Sequence, residues 1–269
     1  MGCDIHLSVE RKNPNTGKWE WVNPEGIAPQ DEFEKEHGYW SWYGGRNYGL
    51  FAILANVRNG FGFAGVDTGD GYKPIAMPRG VPEDASGEYL AEVERWGVDG
   101  HSHSYFTLQE LLDYDWTQTT TRRGFIDPME FVEMSHRDEP IPHGWCGGTS
   151  AEKLTPERME KFVRTTFFLS RLEQTVERWK QLINDPDREK WREHDIEKLP
   201  RLSPLLETQK LAHKPSYDAL FREGTSYAMH YQWEQSYADV AQYFLSTTLP
   251  ALQELGDSDQ VRICFYFDN

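Results

Sequence analysis

Between Cys3 and Glu10 the chain alternates: Cys3, Ile5, Leu7 and Val9 form one set, Asp4, His6, Ser8 and Glu10 the other. A period of two over such a stretch predicts a β-strand with one face in a core. Asn13-Pro14-Asn15-Thr16-Gly17 is a turn sequence. Residues 18–23, with Trp19, Trp21 and Val22, then predict a returning strand, so the pair reads as a hairpin. Residues 261–269 alternate as well, Val261, Ile263, Phe265 and Phe267 against Arg262, Cys264, Tyr266 and Asp268. The ends of a domain tend to lie together. Asp4 and Asp268 are therefore expected on one sheet, with Val9 and Phe265 in its core.

The stretch between these strands carries mostly helical signals. Asn47 is placed to cap a helix running to about Arg58, with Leu50, Phe51, Leu54 and Val57 on one stripe. Residues 59–71, with five glycines and two aspartates, read as a long mobile loop. Ser86 opens a helix that would turn Leu90, Val93 and Trp96 inward, and Thr107-Leu108-Gln109-Glu110 fits a capping box. Residues 140–150 read as a second loop. Thr155-Pro156-Glu157 starts a helix in which Phe162, Val163, Leu169, Leu172, Val176, Trp179 and Ile183 recur at helical spacing. Asp185-Pro186 breaks it. Shorter helices are expected at 200–211 and 217–221, and a further one at 226–255, stopped by Gly256. The expected fold is a single α+β domain over 1–269: a mixed or antiparallel sheet holding the N- and C-terminal strands, covered by a helical layer or inserted subdomain at 152–256.

Composition narrows the class. Twenty-eight basic residues against 44 acidic ones give a net charge of −16, which argues against coating nucleic-acid phosphates or docking on anionic membranes. Hydrophobic residues make up only 38%, but aromatics make up 14%, enough large side chains to build a core and to argue against disorder. No apolar run approaches the roughly 18 residues of a membrane span, and no signal peptide is visible at the N-terminus. Position six is His6 rather than Ser or Thr, so Met1-Gly2 is not a myristoylation signal. Cys3, Cys146 and Cys264 fit neither a disulfide framework nor a metal finger, and a reducing cytoplasm is the expected location.

Candidate chemistry gathers in three places. In Asp99-Gly100-His101-Ser102-His103-Ser104, two histidines at i and i+2 on an extended segment would share a face and begin a divalent-metal site, with Asp99 as base or outer partner. The bland alternative is a polar loop that caps the next helix. The polar faces of the two terminal strands would bring Asp4, His6 and Glu10 beside Tyr266 and Asp268, a set able to hold a metal or move protons. Against this, polar-out alternation is what any half-exposed strand shows. Arg46-Asn47-Tyr48, before a helix N-terminus, would grip phosphate or carboxylate, and an ordinary salt bridge is the competing reading. The expected site therefore comprises His101, His103, Asp4 and His6 as metal ligands, Asp99, Glu10 and Asp268 as catalytic carboxylates, and Arg46, Asn47 and Tyr48 on the substrate. His101 and His103 are expected to face a pocket shared with at least one of Asp4, His6, Glu10 or Asp268. Trp40, Trp42 and Tyr43 can stack on a base or sugar or pack a core edge. The glycine-rich loop lacks a GKS or GKT and is no P-loop, and Cys264 is discounted as a nucleophile.

Met1-Gly2-Cys3-Asp4-Ile5-His6 with Glu10, Arg46-Asn47-Tyr48 followed by Leu50-Phe51, Gly80-Val81-Pro82 with Asp84-Ala85-Ser86, the Asp99–Ser104 stretch and terminal Phe267-Asp268-Asn269 together resemble an uncharacterised family of tailed-bacteriophage and prophage proteins that begin with the same hexapeptide. The resemblance covers about the first 115 residues and the last ten, and does not extend over 152–256. It implies a phage origin and the cytoplasm of a bacterial host. The functional expectation is a metal-dependent hydrolase acting on a nucleotide or nucleotide-derived signal. Two alternatives stand beside it: a non-enzymatic acidic inhibitor that mimics nucleic acid and binds a host protein, and a sponge for a small anionic signal.

Overall fold

The computed structural model describes residues 2–25, 41–185 and 192–268. Trp40 and Pro186 lie outside the described residues. The chain divides into two compact units, one made of Met1–Arg122 with Glu234–Asn269 and the other of Arg123–Trp233. No described helix is long and apolar enough to cross a membrane.

The first unit is built on β1 (Asp4–Lys12) and β2 (Trp19–Val22), the hairpin expected from their punctuation. Helix α1 (Tyr48–Ala55) follows, then α2 (Gly87–Trp96), β3 (His101–Thr107) and α3 (Leu108–Asp113). Asn47, Ser86 and Thr107 cap these three helices, the last through a full capping box. Each cap supplies a side-chain oxygen to a first-turn N–H that has no partner inside the helix.

The second unit takes in most of β4 (Thr119–Ile126), then α4 (Pro128–Arg137), β5 (Glu152–Leu154), α5 (Pro156–Phe162), α6 (Thr166–Ile183), α7 (Arg192–Ala212) and most of β6 (Tyr227–Ser236). The chain then returns to the first unit through α8 (Tyr237–Val240), a π-helix at Phe244–Thr248, α9 (Leu249–Gln253) and β7 (Val261–Asp268).

The four-stranded sheet has the order β2-β1-β7-β3, with every neighbouring pair antiparallel. The terminal strands lie at its centre, and Asp4 pairs with Asp268, Leu7 with Phe265 and Val9 with Ile263. Cys3, Ile5, Leu7, Val9, Val261, Ile263, Phe265 and Phe267 fill the core on one face, together with Leu50, Phe51 and Leu54 of α1, Leu111 of α3, Phe244 and Leu252. The alternation thus becomes a buried face as expected, with Val9 and Phe265 fully inside.

The other face is not solvated. It is covered by α2, and Tyr89, Cys264 and Tyr266 form a small core there with Val93 and Trp96 against it. Leu90, expected inward, is 47% exposed, because the helix turns its Tyr89–Glu92–Trp96 stripe to the sheet instead.

The stretch 152–256, expected as a helical layer or inserted subdomain, divides between the two units. Of that stretch, the π-helix and α9 pack on the sheet's core face. Residues of α4, α5, α6 and α7 build a separate core around Val132, Phe162, Phe168, Leu172, Val176 and Leu205. The helix expected at 226–255 is in its first part the strand β6. Tyr227, Met229, Tyr231 and Trp233 recur at a period of two, and aromatic residues suit a half-buried pleated surface.

Candidate functional site

Part of the expected set, Asp4, His6, Tyr266 and Asp268, meets at one end of the four-stranded sheet. The antiparallel register sets Asp4 opposite Asp268 and His6 opposite Tyr266. Asp4 N donates to Asp268 Oδ1 at 3.1 Å, and His6 Nε2 lies 3.2 Å from Asp268 Oδ2. The His6 ring stacks on Tyr266 with centroids 4.8 Å apart and an interplanar angle of 8°, and leans on Trp96 at 4.3 Å. His6 and Asp268 side chains remain 27% and 21% exposed. They are held in place but reachable from solvent.

Arg46 joins this group from the loop before α1. Its Nε donates to Asp4 Oδ1 at 2.7 Å, and its Nη2 pairs with Asp4 Oδ2. The forked contact is the geometry a guanidinium and a carboxylate prefer. That hydrogen bond holds the Asp4 carboxyl below the usual aspartate range. Gly2 makes the approach possible, since a Cβ there would fall 2.7 Å from Arg46 Nη1. Arg46 is 55% exposed and Asp4 43%, so the pair can exchange for another anion at little cost.

The histidine pair departs from the expected geometry. Between His101, opposite Phe267, and Ser104, opposite Phe265, the strand carries one extra residue, and Ser102 adopts φ 52°. Such a bulge reverses the side-chain phase. His101 therefore lies beside the Phe267 ring, at 6.1 Å, while His103 lies beside Tyr266, at 5.1 Å. The two imidazoles do not share a face. His103 shares the Tyr266 ring with His6, and its Nδ1 is buried with no hydrogen-bond partner among the described residues. Burial pulls its pKa below the ordinary histidine value, against an opposing hydrogen bond with the Gly100 backbone. A Cβ on Gly100 would meet Trp96 Cβ and Tyr266 Cδ2 at 3.3 Å, which is why glycine serves at this crowded corner.

The other expected members are placed elsewhere. Glu10 sits six residues from Asp4, about 20 Å along the strand, and is fully buried. It accepts from Ser86 N at 2.7 Å, from Arg262 Nε at 2.7 Å and from Cys264 Sγ at 3.4 Å. Arg262 also reaches Asp84 Oδ1 at 2.7 Å and lies 4.0 Å from the Trp19 ring centroid. Glu10 thus anchors a buried polar network that fixes the start of α2. Burial and the neighbouring Glu10 push the Cys264 thiol well up, so it stays a protonated donor and no nucleophile. Tyr266 OH donates to Glu92 at 3.0 Å in the same layer.

Asp99 is exposed, and its backbone N–H donates to Trp96 O at the end of α2. Asn47 is occupied by the fold, with Oδ1 accepting from Leu50 N and Nδ2 donating to Val240 O at 2.6 Å. Tyr48 carries the Arg58 guanidinium 5.1 Å over its ring.

Among the described residues no group of three or more histidines, cysteines, aspartates or glutamates is placed to hold a metal ion. The bulge separates His101 from His103, and Arg46 is hydrogen-bonded to both oxygens of Asp4. Tyr266 lies beside His6 as the strand pairing predicts, whereas Trp96, expected only to turn inward, is a ring against His6 that the sequence pattern does not announce. Its helical spacing from Tyr89 and Glu92 signals the inward turn alone. Comparison of the chain with protein families, with curated proteins and with solved structures gives no match.

Proposed function

We propose that the protein binds and hydrolyses a small anionic substrate at the His6–Asp268 end of the sheet, and that the substrate class is a nucleotide or nucleotide-derived signal in a phage-infected bacterial cell. The observation that carries this reading is the His6–Asp268 pair, 3.2 Å apart and partly open to solvent. A carboxylate that accepts from one imidazole nitrogen fixes the tautomer and orients the ring. With Nε2 as the donor, Nδ1 carries the lone pair and accepts a proton from water as its oxygen attacks a phosphoryl or acyl centre. The imidazolium then returns the proton to the leaving oxygen. Arg46, forked on Asp4 and half exposed, supports the anionic part, since a substrate phosphate offers the guanidinium the same pair of oxygens. The acid–base form is the one proposed, since among the described residues no three ligand-type side chains are placed to hold one ion.

The test is turnover of a nucleotide panel by purified protein, with and without chelator. Wild type is expected to hydrolyse at least one member with chelator present. His6→Ala should lower the rate about 10²–10⁴-fold, the usual worth of a positioned base, while the melting temperature stays near wild type. Arg46→Ala should raise KM more than it lowers kcat. Saturable binding with no turnover would replace the hydrolase by a sponge for the same ligand. Activity abolished by chelator would replace the acid–base form by a metal-dependent one. Neither binding nor turnover by any nucleotide would overturn the proposal.

A further inference from the structure

A cavity of about 430 Å³ opens at the opposite end of β1 from His6, with Arg11 on the order of 20 Å from Asp4 along the strand. Its size falls within the range of small-molecule sites, roughly 300–1,000 Å³. Trp42 and Tyr243 line it, with Thr247, Glu25, Glu254 and Arg11.

Two features of the fold give the cavity a built aromatic wall. The Trp42 indole Nε1 donates to Val22 O at 2.6 Å, and its backbone N–H donates to Leu7 O at 2.9 Å. The indole is thereby fixed with its only donor used, half-buried against the sheet's core, with its remaining surface on the cavity. Tyr243 precedes the π-helix Phe244–Thr248. Phe244 lies in the core and Thr248 is buried at the cavity wall, while Tyr243 is 63% exposed beside the cavity. Its ring is braced by Tyr43 at 6.0 Å. A π-turn is a costly irregularity often found at functional sites.

The charge of the lining selects among ligands. One guanidinium, already donating to Leu255 O at 3.5 Å, stands against the two carboxylates of Glu25 and Glu254. An anionic ligand would meet repulsion there. A cation with an apolar body would meet two aromatic rings and two carboxylates, the combination that binds quaternary and primary ammonium groups.

We propose that this cavity is a second ligand site, taking an organic ammonium compound whose apolar body lies against Trp42 and Tyr243 and whose charge faces Glu25 and Glu254. The proposal does not rest on the function assigned to the His6 end. Calorimetric titration of the full chain with benzyltrimethylammonium, benzyl alcohol and benzoate tests it. The ammonium probe is expected to bind at one saturable site, the alcohol several-fold more weakly, and benzoate not at all. Tyr243→Ala, at an exposed position, should weaken ammonium binding about tenfold. Glu254→Gln should weaken the ammonium probe about threefold and leave the alcohol unchanged. His6→Ala should change none of these values. No saturable binding of the ammonium probe at millimolar concentration, equal affinity for all three probes, or wild-type affinity in both Tyr243→Ala and Glu254→Gln would overturn the proposal.

Discussion

Glu10 and Arg262, 0% and 4% exposed, show how one residue's environment decides between chemistry and architecture. Charges at that depth are tolerated only when paired and fully hydrogen-bonded. Glu10 meets the condition with three donors, and its full burial closes it to a substrate. His6, on the same strand face, has one hydrogen-bonded partner and an open side, which is the condition for proton transfer. His103 lies between these cases. Because burial lowers its pKa, the unfolded chain binds a proton over an interval below about pH 6.5 in which the folded protein does not. The unfolded state then holds more protons, so stability falls as pH drops through about 6.5 and levels off below the lowered folded value. His103→Gln is expected to flatten this decline. Urea midpoints measured from pH 7.5 to pH 5 check it, and identical slopes for variant and wild type would count against the assignment.

At the scale of elements, legibility followed the number of faces a segment buries. In β1 and β7 the alternation was plain because one face is wholly apolar, and the helix caps at Asn47, Ser86, Thr107 and Thr155 were plain because their signals are local. The second face of the sheet was not legible. Its buried members, such as Glu10, Ser8 and Arg262, are polar, and only the partners that α2 brings explain their burial. Strand β6 was read as helix because its aromatic period of two sits beside helix-forming residues. The bulge in β3 was equally hidden, since nothing in His101-Ser102-His103 announces an extra residue. It has an energetic consequence. Ser102 holds a left-handed conformation, which costs any L-residue roughly 1–2 kcal/mol and a β-branched one most. Ser102→Val is expected to lose about that much by urea unfolding and to move the His103 ring signals in NMR spectra. Ser102→Gly should stay within about 0.5 kcal/mol of wild type. A neutral Ser102→Val would mean that the strand runs without the bulge.

Across the whole molecule, the two units carry distinct cores, one around Phe265 and one around Leu172. Phe265→Ala should cost its core about 3–5 kcal/mol and Leu172→Ala about 2–5 kcal/mol. Native-state hydrogen exchange separates the contributions. Phe265→Ala is expected to lower protection in β1 and β7 while α6 keeps its own, and Leu172→Ala should do the reverse. Loss of protection across both units in either variant would show one cooperative structure.

The central place of β7 also orders events in time. The ribosome delivers β1 first, and its partner in the middle of the sheet comes after the 111 residues of Arg123–Trp233. The second unit can therefore settle while the first still has a gap between β1 and β3, flanked by the exposed edges of two strands. Pairings this far apart in sequence close slowly, and unpaired edges are where nascent chains associate wrongly. Residues 261–268 act as a keystone, and a ribosome stalled shortly before them would hold a chain whose candidate site has Asp4 and His6 but neither Tyr266 nor Asp268.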